Sequence, residues 1–159
     1  MAADRGFEND VIHRMNEGNR ALGVLISVLS NRRLRIKAKK CLYEGVIIPM
    51  VLYGAEAWGL TSAERRKVNG LEMKCLRSLV RVSRMDRVRN EEGHRRAGIE
   101  MELASRADQR VLRWFGHVER MDEYRLARRA LMAEVSRGRV RGRPRLGGMD
   151  AVTVALGNT

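Results

Sequence analysis

Residues 137–145 read RGRVRGRPR, with five guanidinium groups in nine residues and no acid among them. Arginine makes bidentate contacts with phosphate, so Arg137, Arg139, Arg141, Arg143 and Arg145 point first to a polyanion. Glycine lets a backbone approach closely, and arginine favours a narrow groove, so an Arg-Gly-Arg-Pro core also suits the minor groove of DNA. A solvated basic connector remains a third reading of the same nine residues.

Other chemistry finds little to stand on. His13, His94 and His117 lie far from one another and from Cys41 and Cys75, and no zinc-ligand spacing occurs. His117 reads as a packed or hydrogen-bonded helix histidine, and both cysteines read as buried on apolar helix faces. No nucleophile elbow, phosphate-binding loop or dinucleotide fingerprint is present. Two-metal phosphoryl transfer needs converging carboxylates, whereas the six aspartates are solitary. Asp122 and Glu123 are adjacent, but at a helix start, where acids answer the helix dipole. The chain is therefore expected to be no enzyme by itself and to need no cofactor or metal.

The whole composition repeats what the arginine run says. Over 159 residues the net charge is +13, and Arg outnumbers Lys 27 to 5. Residues 1–82 hold 15 basic and 8 acidic side chains, and residues 83–159 hold 17 and 11, so neither half is a simple basic tail. Such an excess implies a polyanionic partner, most often nucleic acid. The N-terminus lacks the apolar stretch of a signal peptide, and Val46 to Leu60 is too short for a membrane span. An intracellular setting, cytoplasm or nucleus, is expected, with no membrane partner. Aromatic residues make up only 4%, so a core of Leu, Val, Met, Ala and Ile favours packed helices.

The elements that must position these charges read as helices. Val11, Met15, Leu22, Ile26 and Leu29 recur at helical spacing across Asn9–Leu29, with Gly18 and Gly23 as weak points where the helix could break. A second helix, about Leu34–Trp58, is expected to turn Leu34, Ala38, Cys41, Leu42, Gly45 and Ile48 inward. Lys37, Lys39 and Lys40 then face outward. Pro49 should kink or divide it, and Val46 to Tyr53, apolar all round, should be the most buried segment. Thr61 and Glu64 form a capping box opening a third helix to about Val82. Asn90 can cap a helix ended by Gly98. A helix at about Glu102–Arg120 buries Leu103, Ala107, Val111, Trp114 and Val118, leaving Arg106, Arg110 and Arg113 outside among Asp108 and Glu119. Asp122–Glu123 begin another helix that ends near Ser136, and Asp150–Leu156 start a last turn.

Several blocks together resemble the C-terminal region of non-LTR (LINE-type) retrotransposon reverse transcriptases. Ile47-Ile-Pro-Met-Val-Leu-Tyr-Gly-Ala-Glu-Ala-Trp58 is similar to that family's P-x-L-L-Y-G-x-E-x-W segment. Leu71-Glu-Met-Lys-Cys-Leu-Arg77, Asp86-Arg-Val-Arg-Asn-Glu91, Leu112-Arg-Trp-Phe-Gly-His-Val-Glu-Arg-Met121 and Gly142-Arg-Pro-Arg145 follow in the family's order. The resemblance covers about residues 10–156. It implies a helical thumb, which packs against a template–primer duplex, followed by a helical extension. It also implies that the catalytic palm of this RNA-directed DNA polymerase, with its aromatic-x-Asp-Asp motif, and the endonuclease domain lie elsewhere in the transposable element's polyprotein. Gly147-Gly148-Met149-Asp150 lacks the family's tryptophan before the aspartate.

The resulting expectation is an all-α chain of five to seven helices in two small bundles. Residues 1–82 form a thumb-like region, 83–90 a linker, 91–136 a C-terminal helical region, 137–149 a basic connector and 150–159 a truncated helix. The expected role is non-catalytic binding of template–primer or other nucleic acid, RNA, DNA or their hybrid. Candidate contacts are Lys37, Lys39, Lys40, Arg106, Arg110, Arg113 and the five arginines of 137–145. The alternative is an interaction module or inert retroelement relic whose apolar faces meet the missing palm or a second copy.

Overall fold

The computed structural model describes residues 6–132 and 148–157. The fold is all-α, with seven helices among the described residues. They are α1 (Gly6–Leu29), α2 (36–51), α3 (Ser62–Val80), α4 (Asn90–Ala97), α5 (Leu103–Glu119), α6 (Leu126–Met132) and α7 (Gly148–Leu156). Single 3₁₀ turns lie at Ala55–Ala57 and Arg84–Asp86.

α1 runs unbroken through both glycines. Val11, Gly18, Leu22 and Leu29 form its buried stripe, and Ile26 is exposed. Gly18 is a contact point: a β-carbon there would lie 2.4 Å from Val51 Cγ2 and 2.9 Å from Leu71 Cδ2. Without one, α1 comes close to both α2 and α3. At the start of α1, Asp10 Oδ2 accepts a 3.0 Å hydrogen bond from the indole Nε1 of buried Trp58.

α2 changes pitch instead of breaking. Its middle, Tyr43–Ile47, is a π turn in which the Ile48 amide donates to the Tyr43 carbonyl. The α-helical geometry then restarts at Ile48–Val51, so Pro49 falls in a first turn, where its missing N–H is not needed. The buried stripe is Lys39, Tyr43, Ile47, Ile48 and Val51, which shares only Ile48 with the expected one. Leu34, Ala38, Cys41 and Gly45 are exposed, and so are Val46, Met50 and Tyr53. The segment 46–53 therefore buries one side only.

The Thr61–Glu64 capping box forms with both of its hydrogen bonds. Asn90 does not cap α4; it is the first helical residue, and its side-chain oxygen accepts from Arg77. Gly98 ends that helix at φ 66°. Asp122 and Glu123 lie in a turn ahead of α6.

One core joins α1, α2, α3 and the start of α5, from Val11 to Ala107, and takes in Ala97 of α4 and Ile99. A smaller cluster packs Val111, Leu112 and Phe115 of α5 against Ala151, Val152 and Ala155 of α7. The expected boundary at 83–90 thus does not part the hydrophobic core. Helices on either side of it share one interior, and the second cluster begins half-way along α5.

Candidate nucleic-acid interface

Buried polar groups fix the frame around the main core. The Glu72 carboxylate, fully buried on α3, accepts from the Tyr43 hydroxyl at 2.7 Å and from the Leu103 amide at 2.9 Å. Its Oε2 also lies 3.5 Å from His94 Nε2. Three helices and the first amide of α5 are tied to one side chain. Burial pushes the Glu72 carboxyl above the ordinary glutamate range and, with the adjacent carboxylate, raises the Tyr43 hydroxyl too. Glu72 is fully buried, so these contacts tie the interior of the fold together.

A second tie runs from α3 to α5. Arg65 Nη2 donates to both carboxylate oxygens of Asp108, at 2.9 and 2.7 Å. Asp108, expected on the outer face of α5, is buried. Burial raises its carboxyl, and the Arg65 guanidinium opposes that rise.

Several basic residues expected on the surface serve the fold in the same way. Lys39 is 2% exposed, and its Nζ donates to the Leu79 carbonyl at the end of α3. The long aliphatic stem of a lysine can be buried while its ammonium reaches a helix C-terminus, which accounts for the inward Lys39. Burial, then the nearby Arg81 charge, lowers the Lys39 ammonium below the usual lysine value. Lys40 Nζ donates to the Gly98 carbonyl and lies 3.9 Å from Glu44. Arg106 donates to the Met101 carbonyl and Arg110 to the Leu52 carbonyl, with Glu44 and Glu56 respectively within 4 Å. Of the expected contacts among the described residues, Lys37 and Arg113 alone are exposed. His117 is exposed as well, rather than packed. Arg137, Arg139, Arg141, Arg143 and Arg145 lie outside the described residues.

The cations that do gather lie elsewhere. A groove of about 610 Å³ opens between the end of α1 and the end of α3. Arg32, Lys74, Arg77, Arg81 and Arg84 line it, together with Ser30, Ser78 and Ser83, and its apolar lining is Leu22, Ile26 and Val82. Among the described residues no carboxylate lines it, and the one bonded to its lining is that of Asp86, whose Oδ2 accepts from the Ser83 amide at 2.7 Å. Lys74 and Arg77 donate only to neutral side chains, those of Asn19 and Asn90. Arg32, Arg81 and Arg84 have no carboxylate partner among the described residues.

Local structure explains the gathering. Arg77, Ser78 and Arg81 lie three, four and seven residues after Lys74, along one face of α3 and its cap. Arg81 closes the helix in the left-handed region at φ 57°, with the Val82 amide bonded back to the Arg77 carbonyl. That reversal brings Val82, Ser83 and Arg84 to the same groove. Two helix C-termini also meet there, each carrying about half a negative charge, so five cations are only partly offset. Arg33, Arg35 and Lys37, which follow Arg32 in the chain, are exposed too. The sequence does carry the signal, the run Lys74-x-x-Arg77-x-x-x-Arg81-x-x-Arg84, but hydrophobic periodicity does not register it.

Among the described residues, no group of His, Cys, Asp and Glu could hold a metal ion, and no helix is long and apolar enough to cross a membrane. Compared with protein-family models, curated proteins and solved structures, the chain matches none.

Proposed function

We propose that this chain is a non-catalytic, nucleic-acid-binding piece of a non-LTR retrotransposon reverse transcriptase, made of thumb-like helices and their downstream extension. The ordered blocks from Ile47 to Arg145 support the origin. The net charge of +13 supports the partner. The observation that carries the binding role is the groove between α1 and α3, where five cations converge with no carboxylate in the lining. Arginine and lysine there contact phosphates, so binding is largely independent of sequence and weakens steeply with salt.

The test is titration of the purified chain with RNA–DNA hybrid, DNA duplex and single strands across a salt series. Binding to at least one at low salt, lost as salt rises, supports the proposal. No binding to any of them at low salt refutes it. A second reading, a protein-interaction module, has its own observation in the exposed Val46, Met50 and Tyr53 of the α2 region. Oligomers that form on sizing chromatography without nucleic acid favour that reading.

A further inference from the structure

The form of the groove restricts which nucleic acid enters it. A volume of about 610 Å³ lies within the about 300–1,000 Å³ of small-ligand sites. The major groove of DNA alone is about 12 Å wide, so a whole double helix cannot enter such a cleft. Leu22, Ile26 and Val82 add a second constraint. Duplex phosphates laid across the rim leave this apolar lining wet, whereas a separated strand covers it with sugar and base.

The hydroxyls fit the same ligand. Ser78 Oγ donates to the Lys74 carbonyl, which leaves its oxygen free to accept from a sugar or a base edge. Ser83 Oγ accepts from the Met85 amide, which leaves its proton free for a phosphate oxygen. Resting on the nucleic-acid reading above, we propose that the groove between α1 and α3 is a single-strand site. It holds a short unpaired segment by its phosphates, with the bases against the Leu22–Ile26–Val82 lining. Among the described residues no aromatic side chain lines the groove, so stacking adds little, and strands of different base composition bind alike.

The experiment compares a single strand of about ten nucleotides with a hairpin duplex of the same sequence, using the full chain. The groove variant is R32Q/R81N/R84Q, with asparagine at 81 because it tolerates the left-handed backbone. The control R66Q/R120Q/R129Q removes as many exposed charges outside the groove and away from the candidate contacts. Circular dichroism melts confirm that both variants fold. Three lost phosphate contacts weaken single-strand binding about 100-fold at about 0.1 M salt. The duplex and the control variant are expected to change less than about threefold. Equal losses on strand and duplex, or equal losses in both variants, overturn the single-strand assignment and leave the wider nucleic-acid reading standing. Absence of binding to either probe by the wild-type chain overturns that wider reading itself.

Discussion

Two glycines in one helix should respond oppositely to the same substitution. Gly18 and Gly23 both lie inside α1, and Gly→Ala in a helix interior ordinarily stabilises by about 0.8–1 kcal/mol. At Gly23 a β-carbon meets nothing within 4 Å, so the full propensity gain is expected. At Gly18 the β-carbon would lie 2.4 Å from Val51 Cγ2 and 2.9 Å from Leu71 Cδ2. Carbon atoms prefer about 3.5–4.0 Å, so either α1 moves outward by about 1 Å or both neighbours leave their rotamers. Overpacking of this kind costs about 1–3 kcal/mol. With the propensity gain subtracted, Gly18→Ala should come out destabilised by about 1 kcal/mol, and the two variants should differ by about 2 kcal/mol. Urea unfolding followed by the fluorescence of Trp58 and Trp114 and by far-ultraviolet circular dichroism measures both. If Gly18→Ala stabilises as much as Gly23→Ala, the close approach of α1 to α2 and α3 is refuted.

Other expectations follow from the polar ties and the thiols. Glu72→Leu strands the Tyr43 hydroxyl and the Leu103 amide, at about 1–3 kcal/mol each, which denaturant titration will read. Because burial raises the Glu72 carboxyl above its ordinary value of 4.5, the folded state keeps a proton the unfolded chain releases. Its stabilising contribution is therefore present at low pH and lost as pH climbs above 4.5 through the raised value. Wild-type stability measured against Glu72→Gln should fall across that range, and a flat difference would contradict it. Asp108→Ala leaves Arg65 unpaired at a part-buried site and should cost about 2–3 kcal/mol, below the full penalty for breaking a deeply buried pair. Finally, Cys41 is exposed while Cys75 is buried, with its thiol pushed up to about 12. A thiol reagent should label one cysteine rapidly in the native state and the second only on unfolding.

The helices were legible because their signals are local. The Thr61–Glu64 box, the Gly98 stop and the stripe of Leu103, Ala107, Val111 and Val118 each lie within a few turns of chain, and each forms, with Trp114 of the expected stripe only half-buried. What the sequence concealed depended on neighbours. Gly18 and Gly23 look alike until Val51 and Leu71 stand beside one of them. Lys39 reads as solvent-facing until the end of α3 offers it a carbonyl. Asp108 reads as an outer acid until Arg65 arrives from another helix. The surroundings of the candidate contacts were hidden for the same reason. Charge alone points to Lys40, Arg106 and Arg110, but each donates to a backbone carbonyl and has a glutamate within 4 Å. The groove cations escaped notice because they are spread between Arg32 and Arg84 and meet only when α1 and α3 pack.

Salt dependence tests the central claim most directly. For a single strand, the logarithm of the binding constant falls with the logarithm of salt by about 0.7 per phosphate contact. Five contacts in the groove give a slope of about −3.5, or roughly 100-fold weaker binding from 50 to 200 mM salt. Removing Arg32, Arg81 and Arg84 as side-chain charges should bring the slope to about −1.4. A slope unchanged by those three substitutions would contradict the assignment of nucleic-acid binding to this groove.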